Sequence, residues 1–239
     1  MRIAILSDIH GNATAFEAVL KDMRQASPDM IFHGGDLADG GSSPSKIVDR
    51  IRELGWPGVA GNTDEMLFRP ESFHEFSSQT PKLQPVFAVV EQMATVTRER
   101  LGDDRLAWLR ALPRTQAQGS MTLLHASPGD LWRAPSSSAS EEELEACYGR
   151  LGTPTVVYGH IHAAYIREMS RMVICNAGSV GLPYDGDPRA CYLLLDEYKP
   201  MLRRVEYDID REIQRLSTSG LPHADWTARM LLSARFEMP

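Results

Sequence analysis

The sequence predicts an α/β fold built around a parallel sheet, and two observations support that prediction. Over residues 1–60, short apolar runs alternate with stretches of helical periodicity. Strands joined by helices in this way lie parallel and are connected by right-handed crossovers. In addition, glycines and polar residues follow several of the apolar runs. Ligands of parallel sheets lie at the carboxyl ends of the strands, so the sequence predicts a site at one edge of the sheet.

The N-terminal elements follow from the apolar pattern. In chain order, the pattern predicts a strand, a helix, a strand, a helix and a strand, at residues 3–7, 12–25, 30–33, 45–54 and 58–60. The first run is continuously apolar, as expected for a strand that is buried on both faces. The first helix has Phe16, Val19 and Leu20 at helical spacing, and Asn12 is a candidate N-cap.

The middle of the chain, residues 65–118, lacks strand alternation. We interpret it as a helical insertion, with helices near 86–94 and 104–111, within a single domain that spans residues 1–239. Such an insertion acts either as a lid or as an oligomer contact, so a homo-oligomer is one expectation.

Strands resume after the insertion. The apolar runs predict five more, at residues 121–124, 155–158, 172–175, 191–195 and 201–207. A serine-rich loop at 134–145 runs into an acidic helix start, and the segment 208–239 is predicted to be helical.

The composition is that of a globular protein and argues against several classes. Of the 239 residues, 43% are hydrophobic and 24% are charged, which is ordinary for a globular chain. The formal net charge of −7 argues against a stable nucleic-acid partner and against binding to anionic lipid. No apolar run approaches the ~18 residues of a membrane span, and the N-terminal run is too short for a signal peptide. Three cysteines without a CxxC pair indicate reduced thiols and a cytoplasmic protein.

Seven candidate metal ligands stand in five short motifs, each after a strand-like run. They are Asp8 and His10 in Asp-Ile-His, Asp36 in Gly-Asp, Asn62 in Gly-Asn, His125 in His-Ala-Ser, and His160 and His162 in Gly-His-Ile-His. Carboxylate, imidazole and amide ligands mixed in this way suit a pair of hard-to-borderline divalent cations. Paired metals are a common means of displacing an oxygen from phosphorus, so these residues predict a metal-dependent phosphoester hydrolase.

The spacing within two motifs predicts how the ligands act in pairs. Asp8 and His10 are two residues apart, as are His160 and His162. Residues i and i+2 of a strand point to the same side, so each pair is expected to reach one cation from a strand end. Taken singly, each motif is also typical of a simple turn. The joint pattern of five motifs, each following an apolar run, favours the metal site.

Together the motifs resemble those of the calcineurin-like metallophosphoesterase superfamily, which has the pattern D-x-H, G-D, G-N-x-D/E, H and G-H-x-H. Within that superfamily, the chain is most similar to the small bacterial and archaeal phosphodiesterase branch. The segments 125–130, 176–181 and 186–190 extend the likeness beyond the motifs. The resemblance covers roughly residues 1–64 and 120–207.

This resemblance implies a four-layer α/β/β/α sandwich and two divalent metal ions. The implied ligand sets are Asp8, His10, Asp36 and His162 for the first ion, and Asp36, Asn62, His125 and His160 for the second. Asp36 bridges the two, and a hydroxide shared by the metals is the implied nucleophile. Manganese is the first expectation for the metal, and iron, cobalt, nickel and zinc are alternatives that the order of affinities does not separate.

One position departs from the pattern of many superfamily members. Where members with high monoesterase or nuclease activity have a histidine that protonates the leaving oxygen, this chain has Thr63. Threonine is no general acid near neutral pH, and losing such an acid lowers the rate about 10²–10⁴-fold. We therefore expect a phosphodiesterase for a small phosphoester substrate with a good leaving group. The alternatives are a dinucleoside polyphosphate hydrolase and a non-catalytic, protein-binding scaffold of the same fold.

Four further residues have two interpretations each. His33 either supports the site or is an ordinary residue at a strand end. Asp64 either orients a ligand or caps the segment that follows it. Arg133 and Arg189 either reach a substrate phosphate or form surface ion pairs.

Overall fold

Two β-sheets face each other, and helices cover both outer faces. The structure, a computed structural model, describes residues 1–239. The strands are β1 (Arg2–Leu6), β2 (Met30–His33), β3 (Thr115–Gln118), β4 (Met121–Leu124), β5 (Thr155–Tyr158), β6 (Tyr165–Glu168), β7 (Val173–Asn176), β8 (Ala190–Asp196) and β9 (Lys199–Val205). The helices are α1 (Ala13–Ala26), α2 (Pro44–Leu54), α3 (Asn62–Phe68), α4 (Pro70–Ser78), α5 (Gln84–Arg110), α6 (Glu141–Tyr148), α7 (Ile209–Thr218) and α8 (Ala224–Ser233).

Both sheets mix parallel and antiparallel neighbours. The first has the strand order β2-β1-β8-β9, and the second has the order β3-β4-β5-β7-β6. β1 is parallel to β2, and β5 is parallel to both β4 and β7, whereas the other neighbours are antiparallel. The parallel arrangement expected for the N-terminal strands is therefore present in β1 and β2. β8 then pairs with the free side of β1 in the antiparallel direction, and β9 pairs with β8 at the edge of the sheet.

Alternate residues of the strands divide the core into layers. Ile3 of β1 and Val157 of β5 belong to one buried cluster, so the two sheets pack face to face. Ala4 points the other way, into a cluster that includes residues of α1, α2 and α5. On the opposite outer face, Tyr158 of β5 packs against Tyr148 of α6, with ring centroids 5.4 Å apart. The order helix, sheet, sheet, helix confirms the four-layer α/β/β/α sandwich.

The start of α1 shows how a local signal fixes an element. The Asn12 side chain accepts a hydrogen bond from the Ala15 N–H at 2.9 Å, as expected for an N-cap. Phe16 and Val19 lie on the buried face of the helix, against the first sheet. The helix therefore begins directly after the first polar motif and holds its position.

Three strand assignments differ from the sequence-based expectation. The strand expected at 58–60 is reduced to a single bridge between His33 and Gly58. The sequence pattern also misses β3, which lies at the end of the stretch interpreted as a helical insertion, and β6. Both are edge strands of four residues with several polar side chains, so neither contains an apolar run.

The helical part of the insertion is anchored to the rest of the fold at two places. Met66 and Leu67 of α3 are buried in the same cluster as α1 and α2. α5 joins the two helices expected from the sequence and bends at Gly102, where φ is 66°. Val86 of α5 packs with Trp226 of α8 in a separate cluster. The C-terminal helices therefore cover the long helix of the insertion.

Two features bear on the chemistry of the surroundings. None of the helices combines the length and the hydropathy that a bilayer crossing requires. Cys147, Cys175 and Cys191 are all free thiols.

Candidate metal centre

All seven candidate ligands lie at one edge of the two sheets. The side chains are placed as follows: Asp8 and His10 follow β1, Asp36 follows β2, His125 follows β4, His160 and His162 follow β5, and Asn62 begins α3. Six of the seven are buried, and only His160 is partly exposed. The site therefore occupies the carboxyl ends of parallel strands, where it was expected.

Turns, and not strand alternation, direct the paired ligands toward the site. β1 ends two residues before Asp8, and β5 ends two residues before His160. The backbone is left-handed at five of the ligands, with φ of 56° at Asp8, 48° at His10, 54° at Asp36, 66° at His160 and 53° at His162. The expectation that each pair shares one side of a strand is therefore wrong. A left-handed residue other than glycine costs about 1–3 kcal/mol and marks a functional site when it recurs in one place.

Two glycines allow the chain to approach these turns closely. A Cβ atom at Gly61 would lie 2.0 Å from Asp36 Oδ1, and one at Gly159 would lie 2.4 Å from Asp8 Oδ2. No side chain fits at such distances, so both positions require glycine. The glycines of the Gly-Asn and Gly-His-Ile-His motifs therefore have a steric role beside the carboxylates.

Asp8, His10, Asp36 and His162 form a first cluster. One ligand atom of each lies within 4.8 Å of the others. His162 Nε2 is 3.2 Å from His10 Nε2 and 3.2 Å from Asp8 Oδ1, and His10 Nε2 is 3.7 Å from Asp36 Oδ2. Two ligands bonded at ~2.0–2.2 Å to one ion lie about 3.0–3.5 Å apart, so these spacings suit a single cation.

Asn62, His125 and His160 form a second cluster, which Asp36 joins to the first. Asn62 Oδ1 lies 2.8 Å from His125 Nε2 and 2.9 Å from His160 Nδ1. Asp36 Oδ2 lies 3.6 Å from His125 Nε2 and 3.7 Å from His10 Nε2. A single carboxylate oxygen, Asp36 Oδ2, therefore faces both clusters.

Hydrogen bonds to main-chain carbonyls orient three of the four imidazoles. Each Nδ1–H donates to one oxygen: His10 to Asp39 at 2.7 Å, His125 to Gly34 at 2.8 Å and His162 to Leu182 at 2.6 Å. Because Nδ1 carries the hydrogen, Nε2 carries the lone pair and points into the site. A ring held through its other nitrogen in this way is typical of histidine ligands to metals.

The donor set fits divalent cations. In the first cluster, the Nε2 atoms of His10 and His162 lie 3.2 Å apart with their lone pairs turned toward each other. In the second cluster, the amide oxygen of Asn62 lies 2.8 Å from His125 Nε2. Acceptors turned toward one another in a buried site are unfavourable unless a cation lies between them. Imidazole, carboxylate and amide oxygen together suit hard-to-borderline divalent ions. The seven residues therefore have the chemistry to hold such ions, and the first cluster has the geometry of a single cation site.

Burial and charge determine which of these groups are ionised. Burial lowers the pKa of His10, and it lowers the pKa of His160 to about 4. Burial also lowers the pKa of His125 and His162, but the facing aspartates outweigh it and raise the pKa of both. Burial raises the pKa of Asp8, yet the facing histidines outweigh it and hold that pKa well below its ordinary value. Asp8 is thus ionised and the rings of His10 and His160 are neutral, the forms that bind metals. The raised pKa of His125 and His162 means that cation binding there would release protons.

Asp64 supports the turn that carries Asp36. Its carboxylate accepts hydrogen bonds from the N–H groups of Asp36 at 2.8 Å, Leu37 at 3.0 Å and Gly61 at 3.0 Å. Asp36 Oδ1 in turn accepts from the Thr63 N–H at 2.9 Å. Burial and the neighbouring Asp36 raise the pKa of Asp64 to about 6, and the main-chain donors oppose that rise. Asp64 therefore both orients a candidate ligand and caps α3.

His33, Arg133 and Arg189 make no contact with the candidate ligands that would give them a role in the site. His33 is fully buried, and neither ring nitrogen has a hydrogen-bond partner. Arg133 pairs with Asp130 at 3.3 Å, and Arg189 pairs with Asp187 at 2.6 Å. None of the three lines the cleft above the ligands. The plainer interpretation therefore holds for all three.

A cleft of about 180 Å³ opens above the ligands. Besides the ligands His10, Asp36, Asn62, His160 and His162, its lining consists of Asp39, Gly40, Thr63, Val86, Val90, Met93, Leu182, Tyr184, Trp226, Thr227, Met230 and Phe236. Neither Asp39 nor the aromatic residues of this lining were predicted from the sequence. Asp39 lies three residues after Asp36 of the Gly-Asp motif, and this closeness to a candidate ligand could have identified it. The aromatic residues stand in no recognisable motif.

Comparisons with known proteins agree with this geometry. A model of the calcineurin-like phosphoesterase superfamily domain matches residues 1–199. An uncharacterized protein of Methanocaldococcus jannaschii is 27% identical over 256 residues, which cover 98% of this chain and 98% of that protein. A Synechococcus protein named as a probable cyclic nucleotide phosphodiesterase is 25% identical over 185 residues, or 70% of this chain and 71% of that protein.

The fold comparison points the same way. The crystal structure of a metallophosphoesterase from Sphaerobacter thermophilus aligns with a TM-score of 0.79 and 27% identity, covering 98% of this chain and 99% of that one. Sequence motifs, layer order and the cluster of buried ligands thus agree with a family match over most of the chain. The chain therefore belongs to the calcineurin-like phosphoesterase superfamily, a family of metal-dependent phosphoester hydrolases.

Proposed function

We propose that this protein is a phosphodiesterase that depends on two divalent metal ions. One observation carries the proposal: two clusters of metal-binding groups share Asp36 at the base of a cleft. The cleft is lined by Thr63, at the position where many superfamily members have a histidine that acts as the acid. The clusters support phosphoester hydrolysis. The threonine supports a substrate whose leaving group needs no proton. The name of the Synechococcus relative, a probable cyclic nucleotide phosphodiesterase, agrees with diester chemistry.

The residues of the chain hold the site in shape. When bound, divalent ions supply a water of lowered pKa and positive charge that offsets the charge developing on phosphate oxygens. Ser179 Oγ donates to the Asp8 carbonyl at 2.7 Å, and Asn176 Nδ2 donates to the Gly159 carbonyl at 2.6 Å. The His160 N–H donates to the Asp8 carboxylate at 3.1 Å. Ligands tied down by such bonds need little reorganisation to bind a substrate in a productive geometry.

The apolar part of the lining gives the site a second property. Val86, Val90 and Met93 of α5 face Trp226 and Met230 of α8 across the top of the cleft. Apolar walls reduce the water around the reacting groups, and electrostatic interactions are stronger in such surroundings. The helical insertion therefore contributes a wall of the site in this proposal, in the manner of a lid.

Manganese is the ion that we propose first, because the ligands mix carboxylate and amide oxygens with imidazole nitrogens. We also propose a cytoplasmic location, which three free thiols support.

A dinucleoside polyphosphate hydrolase is the second candidate function. The phosphoanhydride leaving group needs no protonation, so Thr63 agrees with this reaction as well. Against it stands the lining of the cleft, which contains no lysine or arginine to bind additional phosphates. A non-catalytic scaffold is less well supported, because all seven candidate ligands are present and converge on one edge of the fold.

Metal analysis combined with two matched substrates tests the proposal. Protein reconstituted with Mn²⁺ should hold about two ions per chain. It should hydrolyse bis(4-nitrophenyl) phosphate faster than 4-nitrophenyl phosphate. The two compounds release the same leaving group and differ in the charge on the phosphate, so a difference in rate reports the preference for a diester. Metal-loaded protein that hydrolyses neither compound, or that prefers the monoester, would refute the assignment as a phosphodiesterase.

A further inference from the structure

We propose that the cleft between α5 and the C-terminal segment 224–239 selects a phosphodiester that carries a single negative charge and a flat, aromatic ester group. The group would be the size of an aryl ring or a nucleobase and would pack against Tyr184 and Phe236, with the buried Trp226 behind them. This proposal rests on the proposed phosphodiesterase function, since the phosphate lies at the metal ligands. It adds what recognises the organic part of the substrate.

Three aromatic side chains form one continuous wall. Tyr184 stacks on the candidate ligand His162, with ring centroids 4.5 Å apart and an interplanar angle of 16°. Phe236 meets Tyr184 edge to face at 5.8 Å and Trp226 edge to face at 6.3 Å. The wall therefore extends from the metal ligands to the mouth of the cleft, where Phe236 is 47% exposed. Aromatic pairs prefer edge-to-face and offset-stacked geometries, so the ring of a ligand would pack on this wall in one of these two ways.

Hydrogen bonds hold this wall in place. Trp226 Nε1 donates to the Glu237 carbonyl at 2.9 Å, so the chain just after Phe236 is tied to α8. The Gly186 N–H donates to the Ala234 carbonyl at 2.9 Å and ties the loop after Tyr184 to the same segment. An exposed aromatic ring on a supported backbone is suited to contact a ligand, because little further ordering is needed on binding.

The aromatic wall comes mainly from outside the part of the chain that the family model matches. The match covers residues 1–199, whereas Trp226, Met230 and Phe236 lie beyond it. Thr227 Oγ1 donates to the Gly40 carbonyl at 3.2 Å and so fixes α8 beside the loop that follows Asp36. The metal ligands thus belong to the shared family domain, and the recognition of the ester group belongs to this C-terminal segment.

The charges in the lining favour a substrate with one negative charge. The cleft contains no lysine or arginine, and outside the candidate ligands its one acidic side chain is Asp39. Asp39 is buried, and its Oδ1 atom has no hydrogen-bond partner. A second phosphate group placed in the cleft would meet carboxylate and apolar surface in place of the cationic donors that phosphates require.

The size of the cleft points to one ring system. Its volume of about 180 Å³ lies below the ~300–1,000 Å³ of pockets that enclose drug-sized ligands. A single aryl or nucleobase group is compatible with that volume, whereas two nucleosides joined by a polyphosphate chain would extend beyond the cleft. The same feature therefore argues against the dinucleoside polyphosphate alternative.

Calorimetric titration of the full-length, manganese-loaded protein tests the proposal without relying on turnover. The probes are diphenyl phosphate, diethyl phosphate and P1,P2-diphenyl pyrophosphate, which separate the ring from the charge. We expect diphenyl phosphate to bind about tenfold more tightly than either of the others, in line with the apolar area of a buried ring. Equal binding of diphenyl and diethyl phosphate, or no binding of diphenyl phosphate, would overturn the proposal.

Variants at the mouth of the cleft locate the preference. Phe236→Ala should reduce the preference for diphenyl over diethyl phosphate about three- to tenfold, the contribution of one aromatic contact. Leu232→Ala is the matched control, because Leu232 is 62% exposed on α8 and does not line the cleft. Phe236→Lys should shift the preference toward the pyrophosphate diester by placing a cation at the mouth. A preference that is the same in wild type and Phe236→Ala would contradict the assigned wall.

This experiment separates the proposal from the function on which it rests. If bis(4-nitrophenyl) phosphate is hydrolysed but the ring preference is absent, the phosphodiesterase assignment stands and the aromatic subsite fails. If the ring preference is present and no diester is hydrolysed, the subsite stands as a binding site and the phosphodiesterase assignment fails.

Discussion

Replacing Asp64 with asparagine is the sharpest test of how the site is built. The carboxylate of Asp64 accepts three main-chain hydrogen bonds, from Asp36 at 2.8 Å, Leu37 at 3.0 Å and Gly61 at 3.0 Å. Its Oδ2 atom takes two of them, and Oδ1 takes the third. An asparagine keeps one acceptor atom and turns an amide N–H toward the remaining donor. The variant Asp64→Asn thus removes one bond and weakens two.

The size of the effect follows from these three bonds. A hydrogen bond to a charged group contributes about 1.5–3 kcal/mol, and a buried donor left without a partner costs about 1–3 kcal/mol. We therefore expect Asp64→Asn to lower the free energy of unfolding by at most about 3 kcal/mol, because losing the buried charge, whose cost raises the pKa of Asp64 to about 6, offsets part of the loss. That is a large part of the ~5–15 kcal/mol that stabilises a typical protein, yet it leaves the chain folded. For a protein of this length, it corresponds to a fall in Tm of about 6–12 °C.

Urea denaturation of chelator-treated protein at neutral pH measures this loss without a contribution from bound metal. Asp103→Asn is the matched control, because Asp103 is exposed on α5 and its change should stay within about 0.5 kcal/mol. Because Asp64 also holds the turn of Asp36, metal affinity should fall about 10–100-fold in Asp64→Asn. If Asp64→Asn and Asp103→Asn have the same free energy of unfolding, the role assigned to Asp64 is refuted.

Three further predictions concern single side chains. Burial holds the pKa of His33 at about 4, against an ordinary 6.5; stability is therefore full above pH 6.5 and falls by about 3 kcal/mol as the pH drops to 4. Denaturation at both pH values should show that His33→Leu lacks this part of the loss, and equal losses in the two proteins would contradict the buried, neutral ring. Thr63→His should raise kcat on diesters with poor leaving groups, measured against bis(4-nitrophenyl) phosphate; no gain would count against the missing acid. Asp36→Asn should abolish turnover while circular dichroism stays unchanged, and retained activity would exclude Asp36 as the shared ligand.

The sequence was sufficient to predict the central strands and the set of clustered ligands, for physical reasons. Strands buried on both faces are continuously apolar, so β4 and β5 were predicted within their observed limits. Motifs that follow such strands meet at one edge because the strands are parallel. The joint pattern of motifs therefore carried information that no single motif contained.

Other features could not be predicted because their causes are not local. β3 and β6 are polar edge strands whose pairing depends on the neighbouring strand, not on an apolar run of their own. The aromatic wall joins Tyr184 in a loop after β7 to Trp226 of α8 and Phe236 beyond it. Residues so far apart in the chain meet only because α7 and α8 fold back over α5. The left-handed turns at the ligands follow from hydrogen bonds between strand ends, which spacing alone does not reveal.

Those turns explain why the ligands are rigid. Five left-handed residues at about 1–3 kcal/mol each represent strain comparable to the ~5–15 kcal/mol that stabilises a typical protein. The strain persists because the surrounding structure holds each turn. The Asp8 N–H donates to the Gly35 carbonyl at 3.0 Å, and the His10 N–H donates to the Asp36 carbonyl at 3.0 Å. The backbone of the second motif therefore holds the backbone of the first, so hydrogen bonds of the fold constrain where these ligands lie. A site ordered in this way loses little conformational freedom on binding, so more of the interaction energy is available for the metal and the substrate.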